Sequence, residues 1–113
     1  MQWIIKKGSA ALLAIFTVAF SIQVMAADEY ILVIKNHTFE PAEIKIPAGK
    51  KIKLIVHNQD STLEEFHSDD LKREKVILGG KKATLSIGPL KAGSYNFMGE
   101  FHEATAKGRV IAE

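Results

Sequence analysis

Apolar and polar side chains alternate in short runs along most of this chain. In one run, Ile52, Leu54 and Val56 alternate with residues that include Lys53 and His57. Because successive side chains of a β-strand point to opposite faces, each run predicts a strand with one apolar face. Glycine and proline separate the runs, as is typical of turns. The seven runs are residues 30–34, 43–46, 51–57, 75–78, 82–87, 94–98 and 109–112.

Seven short strands in one small domain predict an all-β fold, a seven-stranded Greek-key β-sandwich. The segment 63–72 does not fit the pattern, since it is polar and acidic, and it is interpreted as a loop or a short helical turn. Phe66 is expected in the core. Alternation from Phe66 would place Glu64 on the same side and Glu65 with His67, although a β-bulge could reverse that order.

The first 26 residues have the three parts of a secretory signal. Lys6 and Lys7 are followed by an apolar stretch at 10–20 and by Val-Met-Ala at 24–26. The apolar stretch is shorter than the ~20 residues of a membrane-spanning helix. We therefore predict a cleaved signal peptide at 1–26 and an exported, periplasmic domain at 27–113. The alternative is a retained membrane anchor.

Charge and cysteine content exclude several classes of function. The chain has 15 Lys and Arg against 13 Asp and Glu, and Lys6 and Lys7 supply this excess. The predicted mature part is formally neutral, so nothing indicates electrostatic binding of nucleic acid. There is no cysteine. Neither a disulfide nor a thiolate ligand is therefore available.

Several short motifs, taken in order, resemble those of the cupredoxins. The resemblance covers essentially all of the predicted mature chain and implies a sandwich with a metal site formed by loops. It places Phe39 in the core and gives Asn58 the role of fixing the loops of the metal site. The motifs are N-H-T-F-E-P at 36–41 with P-A-G at 47–49, V-H-N-Q-D at 56–60, G-S-Y-N-F at 93–97 and G-R-V at 108–110.

The resemblance also implies where the four ligands of a blue copper site would lie. The first histidine falls at Glu64, the cysteine at Gly99, the second histidine at His102 and the axial methionine at Ala106. Only His102 is retained. Because blue-copper chemistry requires a cysteine thiolate beside two histidines, a type 1 copper site is excluded.

A narrower resemblance links the chain to a cysteine-free subgroup. L-E-E-F-H-S at 63–68, L-K-R-E-K-V at 71–76 and M-G-E-F-H at 98–102 resemble the cupredoxin domains of periplasmic iron-uptake lipoproteins. They also resemble the small exported component that accompanies a high-affinity iron permease. That group has E-F-E-S where this chain has E-F-H-S at 65–68. His67 therefore stands where the resemblance implies a glutamate. The resemblance implies two partners, an inner-membrane iron permease complex and a second periplasmic metal protein.

The candidate metal ligands are two histidines, three glutamates and one methionine. They are His102, Glu65, Glu64, Glu100, His67 and Met98. A site rich in carboxylates suits iron, manganese or Cu(II) better than Cu(I). For Met98 packing is favoured over ligation, since methionine readily fills gaps. His37 is interpreted as a turn residue and His57 as partly exposed.

Three functions follow as hypotheses. The first is an accessory protein of iron uptake that binds iron or copper through a His/carboxylate site. The second is a metal-free docking module of a membrane transport complex. The third is an enzyme; independent turnover is not expected, although the protein could assist ferrous iron oxidation within a complex.

Overall fold

The computed structural model describes residues 28–113, and the predicted signal peptide lies outside them. Within the described range, no helix is long and apolar enough to cross a membrane. The range holds one short 3₁₀ turn, Glu100–His102. Its strands are β1 (Glu29–Lys35), β2 (Thr38–Glu40), β3 (Glu43–Ile46), β4 (Ile52–Asn58), β5 (Glu64–Ser68), β6 (Arg73–Ile77), β7 (Lys82–Ile87), β8 (Gly93–Gly99) and β9 (Lys107–Ala112).

The strands form two sheets, with the orders β2-β1-β4-β7 and β3-β9-β8-β5-β6. β1 runs parallel to β4 and β3 parallel to β9, whereas the other pairs are antiparallel. The predicted all-β sandwich is confirmed, and each of the seven predicted runs is a strand. The described residues hold nine strands, however, because β2 and β5 were not predicted.

The interpretation of 63–72 as a loop or helical turn is wrong for residues 64–68, which form β5 between β8 and β6. Its inward side chains include Glu64 and Ser68, so the strand is buried without being apolar. Ser68 Oγ donates a hydrogen bond to the Asn96 carbonyl at 2.6 Å and accepts one from the Leu71 amide. Internal hydrogen bonds of this kind offset the cost of burying polar groups. The predicted alternation of Glu64 and Glu65 is confirmed.

The core lies between the sheets and includes Leu32, Ile34, Leu54, Val56 and Val110, all almost fully buried. Three phenylalanines pack together beside them: the ring of Phe39 meets those of Phe66 and Phe97 edge-on, with centroids 6.2 and 5.0 Å apart. The expected core positions of Phe39 and Phe66 are confirmed. This packing holds β5 and β8 side by side, and both strands carry candidate site residues.

Asn58, at the end of β4, is fully buried and fixes the loop that leads to β5. Its Nδ2 donates to the carbonyls of Thr62 and Ile77 at 2.8 and 3.0 Å. Its Oδ1 accepts from the Asp60 amide at 3.0 Å. These bonds give Asn58 the loop-fixing position that the family resemblance implied.

Candidate metal centre

Four side chains with metal-binding atoms meet on the outer face of the five-stranded sheet. Glu65 and His67 project outward from β5, and Glu74 on β6 is directly opposite His67 in the strand register. Glu100 begins the 3₁₀ turn after β8. One ligand atom from each of the four lies within 4.8 Å of those of the other three. We call Glu65, His67, Glu74 and Glu100 the outer cluster.

His67 is the centre of the outer cluster. Its Nδ1 lies 3.0 Å from Glu74 Oε1 and 3.2 Å from Glu100 Oε2, and its Nε2 lies 2.9 Å from Asp69 Oδ1. Carboxylates accept hydrogen bonds, so both ring nitrogens donate in this arrangement. The imidazolium form of His67 therefore fits its surroundings best when the cluster holds no other cation.

The surroundings of His67 and Glu65 raise the pKa of both side chains. The hydrogen bond to Asp69 raises the pKa of His67 above 6.5, and Glu100 and Glu74 raise it further, while burial opposes them. Burial raises the pKa of Glu65, and the neighbouring charges of Glu100 and Glu74 add to the rise. The cluster thus concentrates negative charge that protons partly neutralise. A metal ion would displace those protons.

Met98 lies outside the sandwich core. It is half-buried and directly opposite His67 on the neighbouring strand. A shallow depression is lined by both residues. Directly opposite residues in an antiparallel pair share a face, so Met98 borders the outer cluster. Its role as a ligand stays a prediction.

His102 does not join the outer cluster but pairs with Glu64. Glu64 is 2% exposed, and its Oε2 lies 2.7 Å from His102 Nδ1. Its Oε1 accepts hydrogen bonds from the amides of Phe101 and Glu65 at 2.8 and 2.9 Å. The sequence left open whether Glu64 or Glu65 would face His102. The buried residue Glu64 does so.

The ring of His37 contacts that of His102, and Asp60 supports the turn that carries His37. The rings of His37 and His102 stack with centroids 3.6 Å apart and planes 11° from parallel. Asp60 accepts hydrogen bonds from the amides of Asn36 and His37, at 2.8 and 3.0 Å. These bonds stabilise the β1–β2 turn, where Asn36 and His37 both have positive φ. His37 is the turn residue that was predicted, but its contact with His102 was not.

Gly99 leaves room for the buried carboxylate of Glu64. A Cβ atom at this position would lie 2.7 Å from Ala106 Cβ and 2.8 Å from both Cδ and Oε2 of Glu64. Real Cβ atoms do not approach heavy atoms this closely. Glu64 and Ala106 therefore fill the space into which a side chain at position 99 would project.

A family model for the cupredoxin-like domain matches residues 8–112. The chain belongs to the cupredoxin-like domain family. A relative in Rickettsia prowazekii (strain Madrid E), "Uncharacterized protein RP394", is 44% identical over 80 residues, or 71% of this chain. The match spans only 64% of that relative's length.

Solved cupredoxins share the fold of this cupredoxin-like domain. Auracyanin A, a "blue" copper protein of Chloroflexus aurantiacus, matches with a TM-score of 0.65 at 11% identity, over 75% of this chain and 98% of its own. The metal-binding domain of the Cu(I)-exporting P-type ATPase of Streptococcus pneumoniae D39 matches with a TM-score of 0.67 at 14% identity, over 75% and 84% of the two chains. Identities this low show the shared fold alone.

A type 1 copper ion does not fit the residues of this cupredoxin-like domain. The chain has no cysteine. Beside Gly99, where the family resemblance places the thiolate, the oxygens of Glu64 already bind His102 and two backbone amides. A different donor set would have to hold any metal, and the outer cluster is such a set.

Sequence reasoning did not find Glu74 or Asp69. Glu74 reaches His67 only through the pairing of β5 with β6, and β5 was not predicted as a strand. Once β5 is assigned, antiparallel pairing places residue 74 opposite residue 67. Strand register was therefore the signal that could have found this candidate ligand.

Proposed function

We propose that this cupredoxin-like domain is an exported metal-binding protein that holds Cu(II) or iron in the outer cluster. The observation that carries the proposal is the convergence of Glu65, His67, Glu74 and Glu100 to within 4.8 Å. One imidazole and three carboxylates form a hard, oxygen-rich donor set. Such a set suits Cu(II), iron or manganese better than Cu(I). Bound there, the ion would supply Lewis acidity or, if its valence changes, electron transfer.

The proposed setting is the periplasm, as an accessory of iron uptake. There the protein would act beside an inner-membrane iron permease complex and a second periplasmic metal protein. The support is the sequence resemblance at 63–68, 71–76 and 98–102. Cross-linking in intact cells tests the partners. Recovery of the protein without any permease subunit would contradict this part of the proposal.

Neutralising the outer cluster should weaken metal binding. In calorimetric titrations of tag-free protein with Cu(II), Fe(III) and Mn(II), His67→Gln and Glu74→Gln should each lower the affinity for the preferred ion at least tenfold. The basis is that even supporting residues of metal sites are worth about 10- to 100-fold. Both substitutions keep side-chain size and hydrogen-bonding capacity, so the fold should persist.

Glu43→Gln is the matched control for this titration. Glu43 lies on the same sheet at its opposite edge, where it pairs with Arg109. This variant should bind metal as the unsubstituted protein does. If His67→Gln and Glu74→Gln also leave the affinity unchanged, the outer cluster is not the site.

Metal affinity at the outer cluster should rise with pH through and above 6.5. The pKa of His67 is raised, chiefly by the hydrogen bond to Asp69, so a competing proton remains to higher pH than on an ordinary histidine. The raised pKa of Glu65 acts in the same direction. Because ligands must be deprotonated, titrations at about pH 6 should give weaker binding than those at about pH 8. Equal affinities at the two pH values would contradict this expectation.

A metal-free docking module is the second candidate, and one observation favours it. Four large apolar side chains, Leu63, Val76, Leu78 and Phe101, are 43 to 57% exposed. They lie on or next to the elements that carry the outer cluster, and Val76 is directly opposite Glu65. Exposed apolar patches of this kind are common at protein contacts. The docking module is preferred if the titrations detect no metal binding.

A further inference from the structure

We infer that the ion of the outer cluster binds to Nδ1 of His67, and that Asp69 is a positioning residue that holds the ring through Nε2. The inference rests on the proposed function, since it concerns the same site. Nδ1 lies 3.0 Å from Glu74 Oε1 and 3.2 Å from Glu100 Oε2. Nε2 lies 2.9 Å from Asp69 Oδ1. The two nitrogens of the ring therefore face different carboxylates.

The number of oxygens on each side of the ring decides which nitrogen binds the ion. Beside Nδ1 lie carboxylates from two different elements, Glu74 on β6 and Glu100 in the 3₁₀ turn. Both belong to the outer cluster, whose ligand atoms all lie within 4.8 Å of one another. Nε2 has one carboxylate beside it in the described range, that of Asp69. An ion at Nδ1 thus gains imidazole and several carboxylate ligands together, the donor set that suits Cu(II) and iron.

Asp69 then has the role that a supporting carboxylate plays at many metal-binding histidines. It accepts the hydrogen bond of Nε2–H, which keeps the proton on Nε2 and leaves the lone pair of the neutral ring on Nδ1. Such a partner fixes the orientation of the ring and makes the ligating nitrogen more basic. The ring of His67 is largely covered, at 20% exposed, whereas Asp69 is 91% exposed. Asp69 can therefore be replaced without leaving a cavity in the core.

The turn that carries Asp69 begins directly after β5 and is fixed by hydrogen bonds. The Lys72 amide donates to the Asp69 carbonyl at 3.3 Å. The carboxylate of Asp70 accepts the Asn96 amide at 2.8 Å, which ties the turn to β8. The backbone of residue 69 is thus held in place before any ion binds. Of the two neighbouring aspartates, one supports the ring of His67 and the other supports the turn.

Calorimetric titration of tag-free protein, with whichever of Cu(II), Fe(III) and Mn(II) it prefers, compares three substitutions. Asp69→Ala should weaken binding about tenfold, the lower end of the ~10- to 100-fold range of supporting residues, because Asp69 is exposed to water. Asp69→Asn keeps an oxygen that accepts from Nε2–H, so it should bind the ion more tightly than Asp69→Ala does. Asp70→Asn removes a neighbouring charge that does not contact His67, and it should leave the affinity unchanged.

Diffraction from crystals loaded with the same ion identifies the nitrogen. In the original protein the anomalous peak should lie beside Nδ1 of His67, with Asp69 still hydrogen-bonded to Nε2. A peak at Nε2 overturns the inference but leaves the outer cluster as the site. So does an Asp69→Ala variant that binds as tightly as Asp70→Asn.

Two further outcomes are decisive. Equal losses for Asp69→Ala and Asp69→Asn would assign the effect to charge alone and would overturn the positioning role. If the original protein binds none of the three ions, the proposed function fails together with this inference. Binding by the original protein that His67→Gln leaves unaltered has the same meaning.

Discussion

Replacing Gly99 with alanine is expected to destabilise the protein by about 3 kcal/mol, at the upper end of the usual cost of overpacking. The added methyl group would lie within 2.8 Å of both Ala106 Cβ and the carboxyl group of Glu64. Glu64 cannot move away cheaply, because three hydrogen bonds hold its oxygens. The backbone of β8 would have to shift instead, and with it the strand pairs on either side.

Urea denaturation of the Gly99→Ala variant measures this cost directly. The double variant Gly99→Ala/Ala106→Gly removes one of the two clashes and is the matched comparison. It should recover part of the loss, after correction for the cost of Ala106→Gly alone. Surface substitutions usually change the free energy of unfolding by no more than about 0.5 kcal/mol. A change this small for Gly99→Ala would show that the space beside residue 99 is open.

Removing the carboxylate of Glu64 should have an effect of similar size. In Glu64→Ala the amides of Glu65 and Phe101 and the Nδ1 of His102 lose their acceptor. Each unsatisfied buried donor costs ~1–3 kcal/mol, and His102 is partly exposed to water. We therefore expect a loss of about 3–5 kcal/mol in the free energy of unfolding.

Glu64→Gln separates the role of charge from that of hydrogen bonding. Glutamine keeps the shape and one acceptor oxygen, which can serve the amides of Glu65 and Phe101. Its amide group would face His102 Nδ1 and favour the other ring tautomer. Thermal or urea unfolding should place Glu64→Gln less than halfway from the original protein to Glu64→Ala. Equal stability of the Ala and Gln variants would mean that these hydrogen bonds contribute little.

The sandwich could be predicted because period-two alternation and burial coincide in most strands. In β4, for example, Ile52, Leu54 and Val56 are all buried. β5 was not predicted because its buried face is not wholly apolar: it carries Glu64 and Ser68 beside Phe66. Their burial depends on partners from distant parts of the chain, such as the Asn96 carbonyl. Such partners cannot be read from the local sequence.

Three members of the outer cluster, Glu65, His67 and Glu100, were among the predicted candidates, but Glu74 was missed and the grouping was not predicted. The same alternation that places Glu65 beside His67 separates it from Glu64. The 3₁₀ turn carries two candidate ligands and separates them: it places Glu100 next to His67 and His102 next to Glu64. The sequence suggested one site around His102. The structure has two groupings on either side of this turn, since a turn of three residues points its side chains in different directions.

The retained scaffold and the changed donors together explain the positions that depart from blue copper proteins. A side chain at position 99 would collide with Ala106 and with the carboxyl group of Glu64. The glycine is thus required by the buried carboxylate and by Ala106. The carboxylates suited to a metal ion lie instead on the outer face of the five-stranded sheet, around His67.

Anomalous diffraction from crystals loaded with Cu(II) tests the outer cluster most directly. Data collected on both sides of the copper absorption edge locate the ion without reference to any assumed ligand. We predict an anomalous peak within bonding distance of His67 and of carboxylate oxygens of Glu74 and Glu100. Copper-loaded crystals that give no peak at His67 would contradict the assignment of the outer cluster as the metal site.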